Sequence, residues 1–324
     1  MGNRILFVVM IILALLAPQV LDVFWINTLI QILCLGLLAL SVDLLLGQTG
    51  IFPFGQGAFF AVAAYTVAIL QVRLGQPTYL VVPAGLAAAV ILALVYGLAV
   101  RTSGVYFLLV TMAMGHIVWG VSVRWVALSG GDNGIGNIPY PQIGSFVIKG
   151  ASSYYYVVLT VVVLCMLAYR MLIRSPFGVT LRGIRESESR MRALGYSVGA
   201  HKYVAFLISG VLAGLAGVLY VYFNRLVSPS TAALHVSVEA ALMVIIGGSG
   251  TIFGPFIGSA IILMLRNYVS GHLVQWMTVM GLVFIVTVLW APDGLLGLVR
   301  RIRIKQSGEL RKEAPGGPKA GIGK

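Results

Sequence analysis

The chain is written in long apolar blocks separated by short polar or glycine-rich breaks. A helix needs about 20 mostly apolar residues to cross the hydrocarbon of a bilayer. Blocks near that length lie at 5–22, 24–46, 58–72, 79–100, 105–127, 154–173, 203–224, 236–248, 255–271 and 274–291. The third and eighth are short enough to be re-entrant or broken, so the pattern predicts an all-α polytopic membrane protein with about 8–10 transmembrane helices. The opening stretch "MGNRILFVVMIILALLAPQVLD" has the basic start and apolar core of a signal peptide. It lacks a small-x-small cleavage site and runs straight into further apolar sequence, which makes it the first span.

One stretch breaks the apolar rhythm. The loop 174–202 is polar, and its residues 176–194 carry their own helical signals. Ser175 followed by Pro176 fits an N-cap and a first helical position, where proline's missing amide hydrogen costs nothing. Gly195 suits the left-handed position that closes a helix. Leu181, Ile184, Met191 and Leu194 recur at spacings of three, seven and three, which gathers them on one face. Glu186 precedes Arg190, and Glu188 precedes Arg192, by the four residues that favour an ion pair. The pattern predicts one capped amphipathic helix about 28 Å long. It is too polar to enter lipid, so it either floats in the headgroups or docks into something, and its short link to the span at 203–224 favours docking.

Composition sharpens this picture. Hydrophobic residues make up 59% of the 324, charged residues 10%, and the mean hydropathy is +0.99. Soluble domains are nearer 45–50% apolar and about 25% charged. Twenty-two Lys and Arg stand against nine Asp and Glu. The excess is not spread as a nucleic-acid binder would spread it. Residues 170–202 hold seven basic and two acidic residues, and 292–324 hold eight and three. Short basic segments beside apolar blocks mark cytoplasmic loops, and an anionic lipid leaflet attracts them. Six spans precede the polar loop and four separate it from the tail, so both termini and the loop share the cytoplasmic side. Arg101 then lies inside and the 128–153 loop, with Asp132 and Lys149, lies outside. Arg73 falls outside as the one exception. The expected organisation is a membrane domain over 1–299, with its polar cytoplasmic loop at 174–202, and a basic cytoplasmic tail over 300–324.

Two glycine-rich interruptions, "GQTGIFPFGQG" and "GGSGTIFGPFIGS", follow the second and eighth spans. Broken segments at membrane depth can build a binding site; alternatively Gly247, Gly250, Gly254 and Gly258 let helices approach closely. Gly210, Gly214 and Gly217 suit the same close packing in the seventh span. Cys34 and Cys165 fall inside apolar blocks as small hydrophobes and form no disulfide or metal framework. His116 sits in mid-span, where it either bonds a neighbouring helix or lines a path. Asp43 and Gln48 at the inner end of the second span and Glu239 at the outer end of the eighth are within reach of the interface and are further path candidates. Arg124 and Arg266 lie near span ends and are expected to snorkel.

The run 175–220, "SPFGVTLRGIRESESRMRALGYSVGAHKYVAFLISGVLAGLAGVLY", resembles the branched-chain amino-acid ABC transporter permeases of the LivM-like kind. So do "LSVDLLLGQTGIFPFGQGAFFAVAAYT", "GGDNGIGNIP" and "MVIIGGSGTIFGPFIGSAII". The resemblance implies a loop that inserts into a cleft of an ATPase subunit. Glu188 and Gly195 match the acid and glycine of that segment, with Arg185, Ala193 and Leu194 in the same helix. Two small residues that often follow the acid are here Arg190 and Met191. The resemblance further implies two ATP-binding subunits (LivG/LivF-like), a sister permease (LivH-like), an external solute-binding protein, and a place in the bacterial inner membrane.

No G-x-x-x-x-G-K-[ST] phosphate loop occurs in the sequence, and the terminal "GIGK" lacks its spacing. ATP is therefore expected on partner subunits, with no cofactor and no catalytic or metal-ligating residue in this chain. Within the same family a urea or short-amide permease is the other substrate reading. A stand-alone secondary transporter or channel would carry intramembrane acids or a repeated filter. An enzyme would show a nucleophile or metal constellation.

Overall fold

The computed structural model describes residues 18–19, 21–143 and 146–270, with positions 278, 281 and 282. The first and tenth expected spans and the basic tail fall outside the described residues, save for isolated positions. Between them the apolar blocks become helices where the pattern put them. In chain order these are α1 (Val23–Thr49), α2 (Gln56–Ala68, extended by a π turn at Ile69–Arg73), α3 (Thr78–Tyr96, extended by a 3-10 turn at Gly97–Arg101) and α4 (Val105–Arg124). There follow the single turn α5 (Val126–Ser129), a two-stranded ribbon of β1 (Gln142–Ile143) and β2 (Phe146–Val147), and α6 (Ala151–Arg174). The polar loop forms α7 (Pro176–Glu186) and α8 (Glu188–Ala193). The chain then returns through α9 (Val198–Asn224), α10 (Leu234–Gly247) and α11 (Gly254–Ser270).

Six of these segments are long and apolar enough to cross a membrane: Val23–Thr49, Gln56–Arg73, Thr78–Arg101, Val105–Arg124, Ala151–Arg174 and Val198–Asn224. The eighth expected span is α10, whose 14 residues reach only about 21 Å, short of the roughly 30 Å of hydrocarbon.

Helix α9 occupies the centre and packs on α2, α1 and α3. Its small residues are the means. A Cβ on Gly214 would meet Ala89 of α3, and one on Gly217 would strike the Phe60 carbonyl of α2. Lipid gives no hydrophobic drive between helices, so such close approach supplies the attraction. On the other side Gly247 and Gly258 bring α10 and α11 together, each meeting backbone of the facing helix. Ser209 donates to the Ser41 carbonyl (2.6 Å) and Ser259 to that of Ile32 (3.0 Å), tying α9 and α11 to α1.

The contacts also sort the loops by side. Gly97 to Arg101 border a crevice with Gly199, Ala200 and Tyr203, next to the 174–202 loop. At the other end Arg73 donates to the Ala127 carbonyl, and Ile135 pairs with Val227. Arg101 thus lies on the side of the 174–202 loop and Arg73 on that of the 128–153 loop, as expected; the N-terminus and the tail fall outside the described residues.

Two segments depart from spanning geometry. Ser237 Oγ, in the first turns of α10, accepts the Gly57 amide at the start of α2 (2.9 Å). Helix α2 therefore starts beside the first turns of α10, and residues 50–55 link it to the end of α1 without regular helix. Residues 225–233, with a 3-10 turn at Pro229–Ala232, lead into α10.

The packing at α9 yields a test. Gly217→Ala places a methyl on the Phe60 carbonyl and is expected to lower stability by about 1–3 kcal/mol. Gly199→Ala, with open space around it, leaves the midpoint unchanged or slightly raised. Thermal unfolding of the detergent-purified proteins compares the two.

Candidate functional site: the coupling loop and its joint to the bundle

The capping residues of the polar loop behave as the sequence indicated. Ser175 Oγ accepts the Gly178 amide (3.4 Å) with Pro176 at the first helical position. Gly195 has φ +86°, and the amides of Gly195 and Tyr196 return to the carbonyls of Arg192 and Met191, the double closure that a left-handed glycine permits.

The single rod does not form. Ser187 adopts extended backbone (φ −164°, ψ 105°) and caps a new helix, its Oγ accepting the Arg190 amide (3.3 Å). α8 folds back so that Met191 packs on Gly183. Serine competes with the helix by bonding its own backbone, and Glu188 then sits favourably in the first turn of α8. The break divides the expected apolar face. Leu181 and Ile184 are buried beneath α7, whereas Leu194 is 66% exposed.

The ion pairs are likewise redistributed. Glu188 reaches Arg192 at 3.5 Å, as the spacing indicated, and also pairs with Lys202, a nearly buried lysine of α9. Glu186 and Arg190 form no ion pair among the described residues. Glu188 thereby binds α8 to the start of the central helix. Phe177 stacks on His201 (5.7 Å between centroids) and makes a second tie. The outer surface of the loop is left to solvent, with Arg190, Arg192, Ala193, Leu194, Gly195 and Tyr196 all exposed.

Arg185 is the inward tie. Its guanidinium donates to the Gly47 carbonyl at the end of α1, where the helix dipole favours a cation. Beside it lies Asp43, fully buried. One carboxylate oxygen accepts the Gly250 amide (2.6 Å) and the other accepts the Tyr169 hydroxyl (2.7 Å). Gln48, also buried, adjoins Tyr169 and Gly250. The two glycine-rich interruptions therefore touch: Gly47 lies against Gly250 so closely that a Cβ would meet its nitrogen. This joint unites α1, α6, α7 and the α10–α11 turn. Asp43 and Gln48 do not reach the interface, because these partners enclose them.

The remaining candidates are placed elsewhere. Glu239 pairs with Arg266 of α11 (3.2 Å), both largely buried, so Arg266 is held by its partner rather than snorkelling. His116 is exposed on α4 and makes no hydrogen bond to another helix among the described residues; its ring lies edge-on to Trp119 (6.3 Å). Only Phe107, Thr111 and Ser122 of α4 are buried. The membrane-facing surface of α3 is large and aliphatic (Leu80, Ile91, Leu94, Leu98), suited to lipid. That of α4 mixes Ala113, His116, Gly120 and Arg124 with apolar residues. Two contributors escaped the sequence: Tyr169, and Lys202 as the partner of Glu188. The signal available for each was a polar group in an otherwise apolar helix.

Helices of spanning length and buried small-residue packing, with a capped helix pair exposed on one side, define a multi-pass membrane protein. The chain belongs to the family of branched-chain amino acid transport system permease components, whose profile matches residues 24–288. It is 29% identical over 303 residues to the high-affinity branched-chain amino acid transport system permease protein LivM of Escherichia coli (strain K12), covering 86% of this chain and 71% of that protein. It is 27% identical over 281 residues to the probable branched-chain amino acid transport permease protein LivH of Methanocaldococcus jannaschii, covering 82% and 89%. It is also 25% identical over 284 residues to LivH of Escherichia coli (strain K12), covering 81% and 91%. No solved structure matches the chain.

Asp43→Ala leaves the Gly250 amide and the Tyr169 hydroxyl without their acceptor, at about 1–3 kcal/mol for each buried group. Tyr169→Phe removes one bond and leaves the other. Thermal unfolding is expected to rank Asp43→Ala well below Tyr169→Phe. The double variant should be no worse than Asp43→Ala by more than a few tenths of a kcal/mol, since residues sharing one network are not additive.

Proposed function

We propose that this chain is the membrane-spanning, non-catalytic permease subunit of an ABC importer that moves branched-chain or other hydrophobic amino acids into the cytoplasm. ATP is bound and hydrolysed by two separate subunits of the LivG/LivF kind. A LivH-like permease completes the membrane pair, and an external solute-binding protein delivers the cargo. The protein resides in the bacterial inner membrane with both termini and the 174–202 loop in the cytoplasm.

One observation carries this reading: a short, capped helix pair stands exposed on one side of the bundle, yet its inward contacts lead to two different spanning helices. Arg185 holds α1 and Glu188 holds α9. Ala193, Leu194 and Gly195 form the exposed tip, with Leu194 offering the apolar contact that an ATPase cleft would bury. When ATP draws the two ATPases together, the tip moves with them. Arg185 and Glu188 pass that displacement to α1 and α9, which biases the bundle between its two access states.

Charge at the tip agrees with this role, because Arg190 and Arg192 suit an acidic cleft rim. The sister permease covers the face of α4 that carries His116. Irregular backbone inside a membrane domain is tolerated only behind protein or beside water, and the segments that lead into α2 and α10 both pack against α4. The translocation path runs along that seam.

Glu188→Arg turns the Lys202 contact into a repulsion. Gly195→Pro forces φ to about −65° where the closure needs a positive value. Both variants are expected to insert normally. The fraction of ATPase subunit retained on affinity purification of the complex should fall severalfold, and ATP-dependent leucine uptake in membrane vesicles at least tenfold. Full uptake by both variants would refute the docking role.

A further inference from the structure

The segments 50–55 and 225–233 lead into two helices that start side by side. α2 begins at Gln56 and α10 at Leu234, and the Gly57 amide bonded to Ser237 Oγ joins their first turns (2.9 Å). α4 closes the junction from a third side, where the Thr111 hydroxyl accepts the Phe54 amide (3.2 Å) and Gly55 abuts the Thr111 carbonyl. Gln56 lies between these two contacts in the chain. Successive side chains of a helix are separated by about 100°, so that of Gln56 leaves α2 between the side held by α4 and the side held by α10.

That side chain is completely buried. Neither its amide nitrogen nor its amide oxygen has a hydrogen-bond partner among the described residues. Native structures rarely bury an unmatched amide, and one that does so calls for an explanation. Two helix N-termini, of 13 and 14 residues, bring partial positive charge to the same place. Broken helices whose N-termini meet at mid-membrane are suited to an anionic substrate group.

We propose that Gln56 is a recognition residue for the zwitterionic head of the transported amino acid. Its Nε2–H donates to the carboxylate and its Oε1 accepts from the ammonium, while the starts of α2 and α10 favour the carboxylate end. The inference rests on the permease reading and names the substrate contact within it. A neutral amide fits a cargo of zero net charge, because a fixed charge at this depth would be costly whenever the site is closed.

The structure is the closed form of this site, and α4 is its cover. That helix is held by few buried side chains: 17% of its apolar window is buried against 78% for α1. Displacing it breaks the Thr111–Phe54 bond and opens the junction toward the face proposed for the path.

The test uses the complete complex, with its partner subunits and binding protein, in proteoliposomes. Gln56→Met keeps the size and removes both polar groups. Leucine imported per ATP hydrolysed is expected to fall roughly 10- to 100-fold, the scale of losing hydrogen bonds to charged groups. The unfolding midpoint should stay unchanged or rise, because no protein partner of the amide is lost. Gln56→Asn, which retains both groups on a shorter stem, should recover part of the import. Unchanged import by Gln56→Met overturns the proposal, as does a lowered midpoint, which would mark a structural amide. Asn performing no better than Met also counts against it. Failure of the wild-type complex to import any amino acid would instead strike the permease reading, so the two failures are separable.

Discussion

A backbone amide inside a bilayer has no water to bond, so every break in a helix at that depth must find an acceptor within the protein. Three amides at the breaks in this bundle take distant side-chain oxygens for that purpose. Thr111 takes the Phe54 amide, Ser237 takes that of Gly57, and Asp43 takes that of Gly250. None of the three belongs to the segment it rescues; the separations in sequence are 57, 180 and 207 residues. The interruptions consequently become cross-links. An element that would otherwise be a weak point of the membrane domain fixes α1, α2, α4 and α10 in register.

Asp43 does more than satisfy one amide. A carboxylate has several acceptor sites, and here they join a turn from the second half of the chain to the Tyr169 hydroxyl from the middle, beside the Arg185 guanidinium from the polar loop. The arrangement puts the only described acid of α1 at the point where the loop meets the bundle. A serine or asparagine could take the Gly250 amide but could not offer the same negative charge to Arg185. The cost of burying a charge at the end of a span is met by hydrogen bonds from two sides, the condition under which such groups are tolerated.

How much of this was legible in the sequence follows from the range of each interaction. Spans, the Ser175 and Gly195 caps, the Glu188–Arg192 pair and the close-packing glycines of α9 are encoded within a few residues, and they were readable. The Ser187 break was local too. A serine followed by Glu188 is itself a helix start, but the longer periodic pattern of Leu181, Ile184, Met191 and Leu194 outweighed it. Asp43 and Glu239 were visible as acids near span ends. Their partners lie 126, 207 and 27 residues away, and no periodicity carries that information. Gln56 went unnoticed because it stands among glycines and phenylalanines that already explained the segment as an interruption. That LivM and LivH proteins both match the chain fits this division, since what relatives at such identities share is the fold that these local patterns specify.

The contacts also say where the bundle can move. α9 is locked to α2 and α3 by glycines that leave no gap, so it cannot slide on them without losing its packing, and the Glu188–Lys202 pair makes α8 move with it. α1, α10 and α11 are joined by the Asp43 joint and by Ser259. Against these blocks α4 is held by three buried side chains, the Thr111 bond and the Tyr96 hydroxyl donating to the Met114 carbonyl (2.9 Å). Local opening follows low contact density and few buried contacts. In the proposed coupling, a displacement entering through Arg185 and Glu188 would travel through these stiff units and be released at the seam between α4 and the starts of α2 and α10, the least tightly held part of the bundle.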